Sequence, residues 1–243
     1  MTPPSTAPAA AAHAVLVLDF DGTVCVGDGP VRAYAQATAE QLAAPRARVL
    51  LEALDAYLAG ETPHSSYGDG YALVADLGGR FLSAEQNHAA YQLSRQWLAE
   101  HPGEIWAPEG LASMLDGMAG SVRRVLVTNS PRESSEAVLD ALQLSARLDR
   151  VIGSAAKPAG FAPILASLQG QLPAQACLSV GDFWVNDIEP ALRLGWCTAW
   201  LNPLRLDPRP ADLTGPDLAS IRDALVEWSI SPRTFASRYG EGS

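Results

Sequence analysis

The sequence is poor in cysteine and in lysine, and it lacks several motifs that would have indicated a function directly. Its three cysteines, Cys25, Cys177 and Cys197, are odd in number and too scattered for a C-x-x-C zinc pattern. This disfavours both a disulfide framework and a structural zinc site. We therefore expect free, buried thiols and a reducing, cytoplasmic environment.

The sequence has no long apolar run that would indicate a membrane span, and no excess of basic residues that would indicate a nucleic-acid partner. The opening "MTPPSTAPAAAAHA" lacks the positive start of a signal peptide, and the apolar run after it is broken by Asp19. A net charge of −10 disfavours a broad surface for nucleic acid or anionic lipid. We predict residues 1–13 to be a disordered leader, and we expect an anionic ligand to be held by local positive groups or a metal.

The sequence also does not indicate a nucleotide-binding loop or histidine-based catalysis. The sequence contains neither G-x-x-x-x-G-K-[ST] nor a G-x-G-x-x-G after a predicted strand. Its four histidines are scattered, and no serine or cysteine nucleophile pattern accompanies them. These absences disfavour a nucleotide-dependent kinase, a dinucleotide enzyme and a histidine-activated nucleophile.

What the sequence does contain is an alternation of short apolar runs and helical patterns. The runs are near-continuous, as in strands covered on both faces of a parallel sheet. They occupy residues 15–18, 122–127, 151–152, 177–180 and 196–201. This pattern predicts an α/β fold with a doubly wound, Rossmann-like parallel sheet.

One long segment interrupts the alternation. Residues 26–105 show helical periodicity without a convincing parallel strand, with helices predicted over 31–44, 49–58, 71–77 and 83–100. The last begins with "SAEQ", a capping box of Ser83 and Gln86. The chain therefore contains an all-helical insertion after its first strand. A further helix carrying Leu218 and Trp228 precedes a polar tail, residues 231–243, which we predict to be mobile.

Polar residues follow each of the first four predicted strands. The chain reads "DFDGT", "TNS", "AAKP" and "GDFWVND" at these points. Because ligands of doubly wound sheets bind outside the carboxyl ends of the strands, we expect these side chains to share one rim. Asp-Gly between apolar runs is also typical of a β-hairpin. The first run looks like a buried central strand, which weakens that alternative.

The carboxylates expected at this rim indicate a metal ion. Asp19, Asp21, Asp182 and Asp187 would repel one another and raise their own pKa values unless a cation lay among them. Oxygen ligands without a cluster of histidine or cysteine favour Mg²⁺ over zinc. The stretch "SPRE", with Ser130 as the predicted cap, indicates a helix N-terminus, where phosphate is a natural occupant.

Lys157 is the only lysine among 17 basic side chains. A lone lysine is ordinarily solvated on a surface loop, but this one is placed at a strand exit. Its compact ammonium group suits simultaneous contact with a phosphate oxygen and a carboxylate. We therefore predict that Lys157 belongs to the site.

The four motifs together resemble the haloacid dehalogenase superfamily of phosphotransferases. "DFDGT", "VLVTNS", "KP" and "GDFWVND" match its four motifs in order, and the likeness covers residues 14–25 and 106–205. In that family a short turn and flap follow the first strand, so a turn at "DFDGT" is compatible with catalysis. The resemblance implies a catalytic core of residues 14–25 and 106–230 and a helical cap of residues 26–105.

The resemblance implies roles for the carboxylates. Asp19 would be the nucleophile that forms an aspartyl-phosphate, and Asp21 the general acid for the leaving alcohol and then the base for water. Magnesium would be held by the Asp19 carboxylate, the backbone carbonyl of Asp21 and the Asp182 carboxylate. Family members that cleave carbon–halogen bonds lack the second aspartate, so Asp21 argues against dehalogenation.

The resemblance also implies a phosphate site and its support. Thr128, the backbone beside Asn129, and Lys157 would hold the phosphate oxygens. Asn186 and Asp187 would lie behind the metal ligands, with Asp187 orienting Lys157 or a metal-bound water. The substrate implied is a small phosphorylated metabolite.

Several features of the sequence leave alternatives open. Phe183 and Trp184 depart from the small residues common in the fourth motif, and would narrow the site or contact the cap. Tyr67, Tyr71, Tyr91 and Trp97 are interpreted as packing rather than as a ligand cage. Any of the five cap cations could face the ligand or the solvent; these are Arg32, Arg46, Arg48, Arg80 and Arg95.

Three other functions share part of this pattern with a phosphatase. A phosphomutase would need the same core. A signalling receiver module also combines aspartate, threonine and lysine around Mg²⁺, but it is smaller and places its phosphorylated aspartate on a later strand. A non-enzymatic scaffold with vestigial motifs is compatible with the fold alone. The sequence favours a Mg²⁺-dependent phosphatase of small phosphomonoesters.

Overall fold

Six parallel strands form the single sheet of the computed structural model, which describes residues 12–61, 67–118, 120–203 and 208–240. Residues 1–11 of the predicted leader and the last three of the predicted tail lie outside the described residues. The order is β3-β2-β1-β4-β5-β6. The strands are β1 Ala14–Leu18, β2 Val122–Val127, β3 Arg150–Ile152, β4 Cys177–Gly181, β5 Cys197–Leu201 and β6 Leu213–Gly215. The predicted doubly wound α/β fold is confirmed.

Helices cover both faces of this sheet, which explains its continuous apolar strands. Within β1, Leu16 and Leu18 pack into one core with the helices on one face, whereas Val15 and Val17 pack into the other. Every residue of the strand is therefore buried. The helices of this part of the chain are α5 Leu111–Gly117, α6 Arg132–Ala141, α7 Phe161–Gln169, α8 Glu189–Leu192, α9 Leu218–Ile230 and α10 Pro232–Tyr239.

Four helices between β1 and α5 build a separate small core. They are α1 Gly29–Ala39, α2 Ala44–Leu58, α3 Gly70–Gly79 and α4 Ala84–Glu100. Leu50, Leu54 and Val74 are buried among them. The capping box of Ser83 and Gln86 at the start of α4 is confirmed. We refer to these four helices as the cap.

The two segments that connect cap and sheet are tied together. The backbone N–H of Val26 donates to the carbonyl of Trp106 at 2.9 Å, and the N–H of Trp106 donates back at 3.0 Å. Before this pair the chain makes a tight turn, in which Val24 and Cys25 donate to the carbonyl of Phe20. The stretch "DFDGT" therefore forms a turn at the end of β1 and not a hairpin of two strands.

Two local predictions differ from the structure, and one strand was not predicted. α6 begins at Arg132 with Pro131 at its cap, so the predicted capping box on Ser130 is wrong. β6 was not predicted, because its three residues do not form an apolar run. It lies at the edge of the sheet and pairs only with β5. Pro232–Tyr239 forms a helix where a mobile tail was predicted, because Phe235 is fully buried against the core.

Two features of composition are visible in the fold. Cys25, Cys177 and Cys197 are free and buried, as predicted. Among the helices that the structure describes, none combines the length and the apolar character needed to cross a bilayer.

Candidate active site

The carboxyl ends of β1, β2 and β4 and the loop after β3 meet at one cavity of about 260 Å³ beneath the cap. Its walls contain all eight residues that the sequence predicted for the site. They are Asp19, Asp21, Thr128, Asn129, Lys157, Asp182, Asn186 and Asp187. The prediction that these motifs share a rim is therefore correct in position, and the roles of the residues stay predictions.

Lys157 lies between two carboxylates at the centre of the site. Its Nζ donates to Asp19 Oδ1 at 2.5 Å and to Asp187 Oδ1 at 2.6 Å. The second oxygen of Asp187 accepts the backbone N–H of Phe183 at 3.1 Å. Asp187 is thereby fixed in orientation and holds the ammonium group against Asp19.

Burial shifts the titration of this cluster. Desolvation raises the pKa of Asp19 to about 7, although the nearby Lys157 charge opposes the shift. Desolvation also raises the pKa of Asp182 well above its ordinary value, and the charges of Asp19 and Asp187 raise it further. Burial alone would lower the pKa of Lys157, but its two carboxylate partners raise it. The lysine is therefore charged, and one ammonium does not offset all the buried carboxylates.

The donor set of this cluster suits a hard divalent cation. One oxygen from each of Asp19, Asp182 and Asp187 lies within 4.8 Å of the others. All three donors are carboxylate oxygens, which Mg²⁺ prefers. Gly22 has a φ of +80°, and a Cβ there would lie 2.2 Å from Asp182 Oδ2. Only glycine lets the turn after β1 approach this carboxylate so closely. The residues fit the predicted magnesium ion.

The second and third motifs are joined by a pair of hydrogen bonds. Asn129 Nδ2 donates to the carbonyl of Lys157 at 3.1 Å, and Asn129 Oδ1 accepts the N–H of Lys157 at 2.6 Å. The side chain of Asn129 thus positions the lysine loop. Thr128 is buried, and its Oγ1 accepts the N–H of Ser130 at 3.0 Å.

Asp21 belongs to a separate network that reaches into the cap. Arg95 Nη1 donates to Oδ1 at 2.9 Å and to Oδ2 at 3.1 Å. Ser130 Oγ donates to Oδ2 at 3.0 Å, and the Tyr71 hydroxyl donates to Oδ1 at 3.3 Å. Ser130, predicted as a helix cap, instead binds Asp21. The carboxylate of Asp21 is therefore held by one core residue, Ser130, and by two cap residues, Arg95 and Tyr71.

The cap contributes site residues that sequence reasoning missed or left undecided. Tyr71 and Tyr91 line the cavity besides packing with each other. Asp69, which caps α3, also lines it, and desolvation raises its pKa to about 6. Helical periodicity carried no signal for these positions, since each also fits a packed or capping role.

Phe183 contacts the cap, one of the two roles that its bulk suggested. A Cβ on Gly68 would lie 2.0 Å from the Phe183 ring, so the segment before α3 packs directly on it. Phe183 also lines the cavity. The neighbouring Trp184 turns elsewhere, donating its Nε1–H to the carbonyl of Pro210 at 3.0 Å.

Solved structures of low sequence identity share this fold. The magnesium-bound protein YfnB of Bacillus subtilis is 16% identical, with a TM-score of 0.58 over 88% of this chain and 99% of its own. A haloacid dehalogenase-like hydrolase of Streptococcus pneumoniae is 14% identical, with a TM-score of 0.59 over 87% and 98%. A predicted phosphoglycolate phosphatase of Haemophilus somnus is 17% identical, with a TM-score of 0.58 over 87% and 97%.

Comparison of sequences places the chain in a family. No curated protein matches it in sequence. The family model of haloacid dehalogenase-like hydrolases, however, matches residues 13–195, which include β1, the cap and the strands that carry the site. The chain therefore belongs to the haloacid dehalogenase-like hydrolases.

Proposed function

We propose that this hydrolase is a Mg²⁺-dependent phosphatase of a small phosphomonoester, acting through an aspartyl-phosphate on Asp19. The observation that carries the proposal is the contact of Asp19 with Lys157 at 2.5 Å within a cluster of three carboxylates, of which Asp187 is buried and the other two are partly buried. Such a site is built to bring an anionic nucleophile to an anionic phosphoryl group. The magnesium bound to the structural neighbour YfnB supports the choice of metal.

Each residue of the cluster has a distinct task in this proposal. Asp19 attacks phosphorus and receives the phosphoryl group, which divides one difficult displacement into two easier ones. Lys157 neutralises a phosphoryl oxygen as the two anions approach. Asp19, Asp182 and the backbone carbonyl of Asp21 would hold Mg²⁺. The bound ion would supply positive charge that offsets the carboxylates and the phosphoryl oxygens.

The phosphate oxygens are held by the residues after β2. Thr128 and the backbone beside Asn129 face the cavity next to Lys157. Asp187 keeps Lys157 in place, and Asn186 would lie behind the metal ligands. Asp21 donates a proton to the leaving oxygen and later takes one from the attacking water.

The substrate is proposed to be a small phosphorylated metabolite. A cavity of about 260 Å³ is below the volume of sites for drug-sized ligands. Tyr71, Tyr91 and Phe183 form part of its wall, so the organic part of the substrate would pack against aromatic rings. A panel of phosphorylated metabolites, assayed for released phosphate, tests this size limit.

Chelation of the metal should stop the reaction. We expect the purified protein to hydrolyse 4-nitrophenyl phosphate with Mg²⁺, to lose this activity in excess EDTA, and to regain it when Mg²⁺ is restored. The reason is that the single positive charge of Lys157 does not offset the negative charge of the carboxylates around Asp19. Release of 4-nitrophenolate measures the rate. Turnover unchanged by EDTA would contradict the proposed metal dependence.

Replacing Asp21 with asparagine should separate the two steps. We expect Asp21→Asn to form the aspartyl-phosphate from 4-nitrophenyl phosphate, whose leaving group needs little help, but to hydrolyse it about 100-fold more slowly or worse. Rapid mixing should show a burst of one 4-nitrophenolate per chain. A steady rate equal to that of the wild type would show that Asp21 is not the acid and base.

A further inference from the structure

Arg95 is a buried cation that the proposed reaction has not used. Its side chain is 2% exposed, whereas the cap arginine Arg48 is 74% exposed. Its Nη1 contacts both oxygens of Asp21, at 2.9 and 3.1 Å. A guanidinium taken out of water at this depth is stable only when paired, and Asp21 is its carboxylate partner.

The guanidinium is fixed by further contacts from the cap. Tyr71 and Tyr91 lie beside it, with ring centroids 5.1 and 5.0 Å from Cζ. Its Nη2 donates to the Tyr71 hydroxyl and its Nε donates to Ser94 Oγ. Arg95 has little freedom to move unless α3 and α4 move with it.

The contacts of Arg95 leave Asp21 few alternatives. The carboxylate accepts from Arg95 at both oxygens, from Tyr71 at one and from Ser130 at the other. A carboxylate has about four acceptor positions, so these donors determine where it points. Two of the three are cap residues, although Asp21 itself lies on the core turn after β1.

We propose that Arg95 is a positioning residue that holds Asp21 in place for proton transfer, so that docking of the cap completes the acid and base of the reaction. This inference rests on the proposed phosphatase function and extends it to a cap residue that contacts the proposed acid and base, Asp21, directly. The cap then does more than cover the cavity. Its guanidinium orients the carboxylate that serves the leaving group.

The inference predicts a loss that depends on the leaving group. Phenyl phosphate and 4-nitrophenyl phosphate have similar shapes, but the phenolate of the first needs protonation far more. We expect Arg95→Met to lower kcat/KM for phenyl phosphate about 100-fold and for 4-nitrophenyl phosphate only a few-fold. Arg48→Met, a matched change at an exposed cap arginine, should leave both values unchanged.

A double-mutant cycle with Asp21→Asn separates positioning from support of the fold. If Arg95 acts through Asp21, adding Arg95→Met to Asp21→Asn should change the single-turnover rate with either substrate by less than about threefold. If Arg95 only holds the cap together, its loss should be equal for both substrates and should persist in the Asp21→Asn background. That result would overturn the inference.

Tyr71→Phe provides a second test should Arg95→Met fail to fold, which its thermal unfolding curve reports. This variant keeps the ring and removes only the hydroxyl that joins Arg95 to Asp21. Its loss of kcat/KM should depend on the leaving group in the same way but be smaller. Equal losses on both substrates would overturn the inference. Wild-type protein that hydrolyses neither ester would overturn the proposed phosphatase function itself, which distinguishes the two failures.

Discussion

Asp19→Asn is expected to lower turnover of 4-nitrophenyl phosphate by about 10⁴-fold or more, the scale seen when a covalent nucleophile is removed. The amide keeps the shape of the side chain but is too weakly nucleophilic to attack phosphorus. It also removes one charge from a cluster in which burial raises the pKa of Asp19 to about 7. The variant should therefore fold at least as stably as the wild type while losing activity.

The control for Asp19→Asn is a carboxylate outside the cavity. Asp55 pairs with Arg32 on the cap surface, and its side chain is 62% exposed. Asp55→Asn should change neither turnover nor thermal stability appreciably, since exposed ion pairs contribute at most about 1 kcal/mol. Activity of Asp19→Asn within tenfold of wild type would remove Asp19 from the role of nucleophile.

Lys157→Met is expected to have the second largest effect, on both activity and stability. Its ammonium lies between Asp19 and Asp187, and both side chains of the Lys157–Asp187 pair are 2% exposed. Breaking a buried pair typically costs about 3–5 kcal/mol, because the remaining charge is left unpaired. Removing the cation from the phosphoryl group should lower kcat/KM by about 10³-fold. Urea unfolding and steady-state kinetics measure the two losses.

Lys157→Arg tests whether charge alone suffices. A planar guanidinium cannot replace a compact ammonium that contacts two carboxylates at 2.5 and 2.6 Å. We expect kcat/KM to fall about 100-fold, on the scale of one lost electrostatic contact. The matched control is the reverse exchange at an exposed site, Arg48→Lys, which should be silent. Full activity of Lys157→Arg would place the lysine outside the reaction.

The sheet and its active rim were predictable because strands buried on both faces appear as continuous apolar runs in the sequence. Neither β1 nor β4 contains a charged residue, so Asp19 after β1 and Asp182 after β4 mark the rim. β6 was not predictable in this way. It has only three residues and lies at the sheet edge, where its middle residue is exposed.

The residues that the cap contributes to the site could not be predicted from the sequence. Arg95 lies on α4 among polar residues, and nothing in its spacing separates it from the exposed cap arginines. The choice depends on how α4 packs over the core, which is a tertiary contact between residues 74 positions apart. Ser130 illustrates the same limit, because its hydroxyl matches a capping pattern yet binds Asp21 instead.

The most direct test of the proposed aspartyl-phosphate mechanism is to find the phosphoryl group on the chain. Asp21→Asn would be mixed with 4-nitrophenyl phosphate and Mg²⁺, quenched in acid within the first turnover, and mapped by mass spectrometry of its peptides. We expect one phosphoryl group per chain, carried by Asp19. Turnover by the wild type together with phosphate on another residue, or on none, would contradict it.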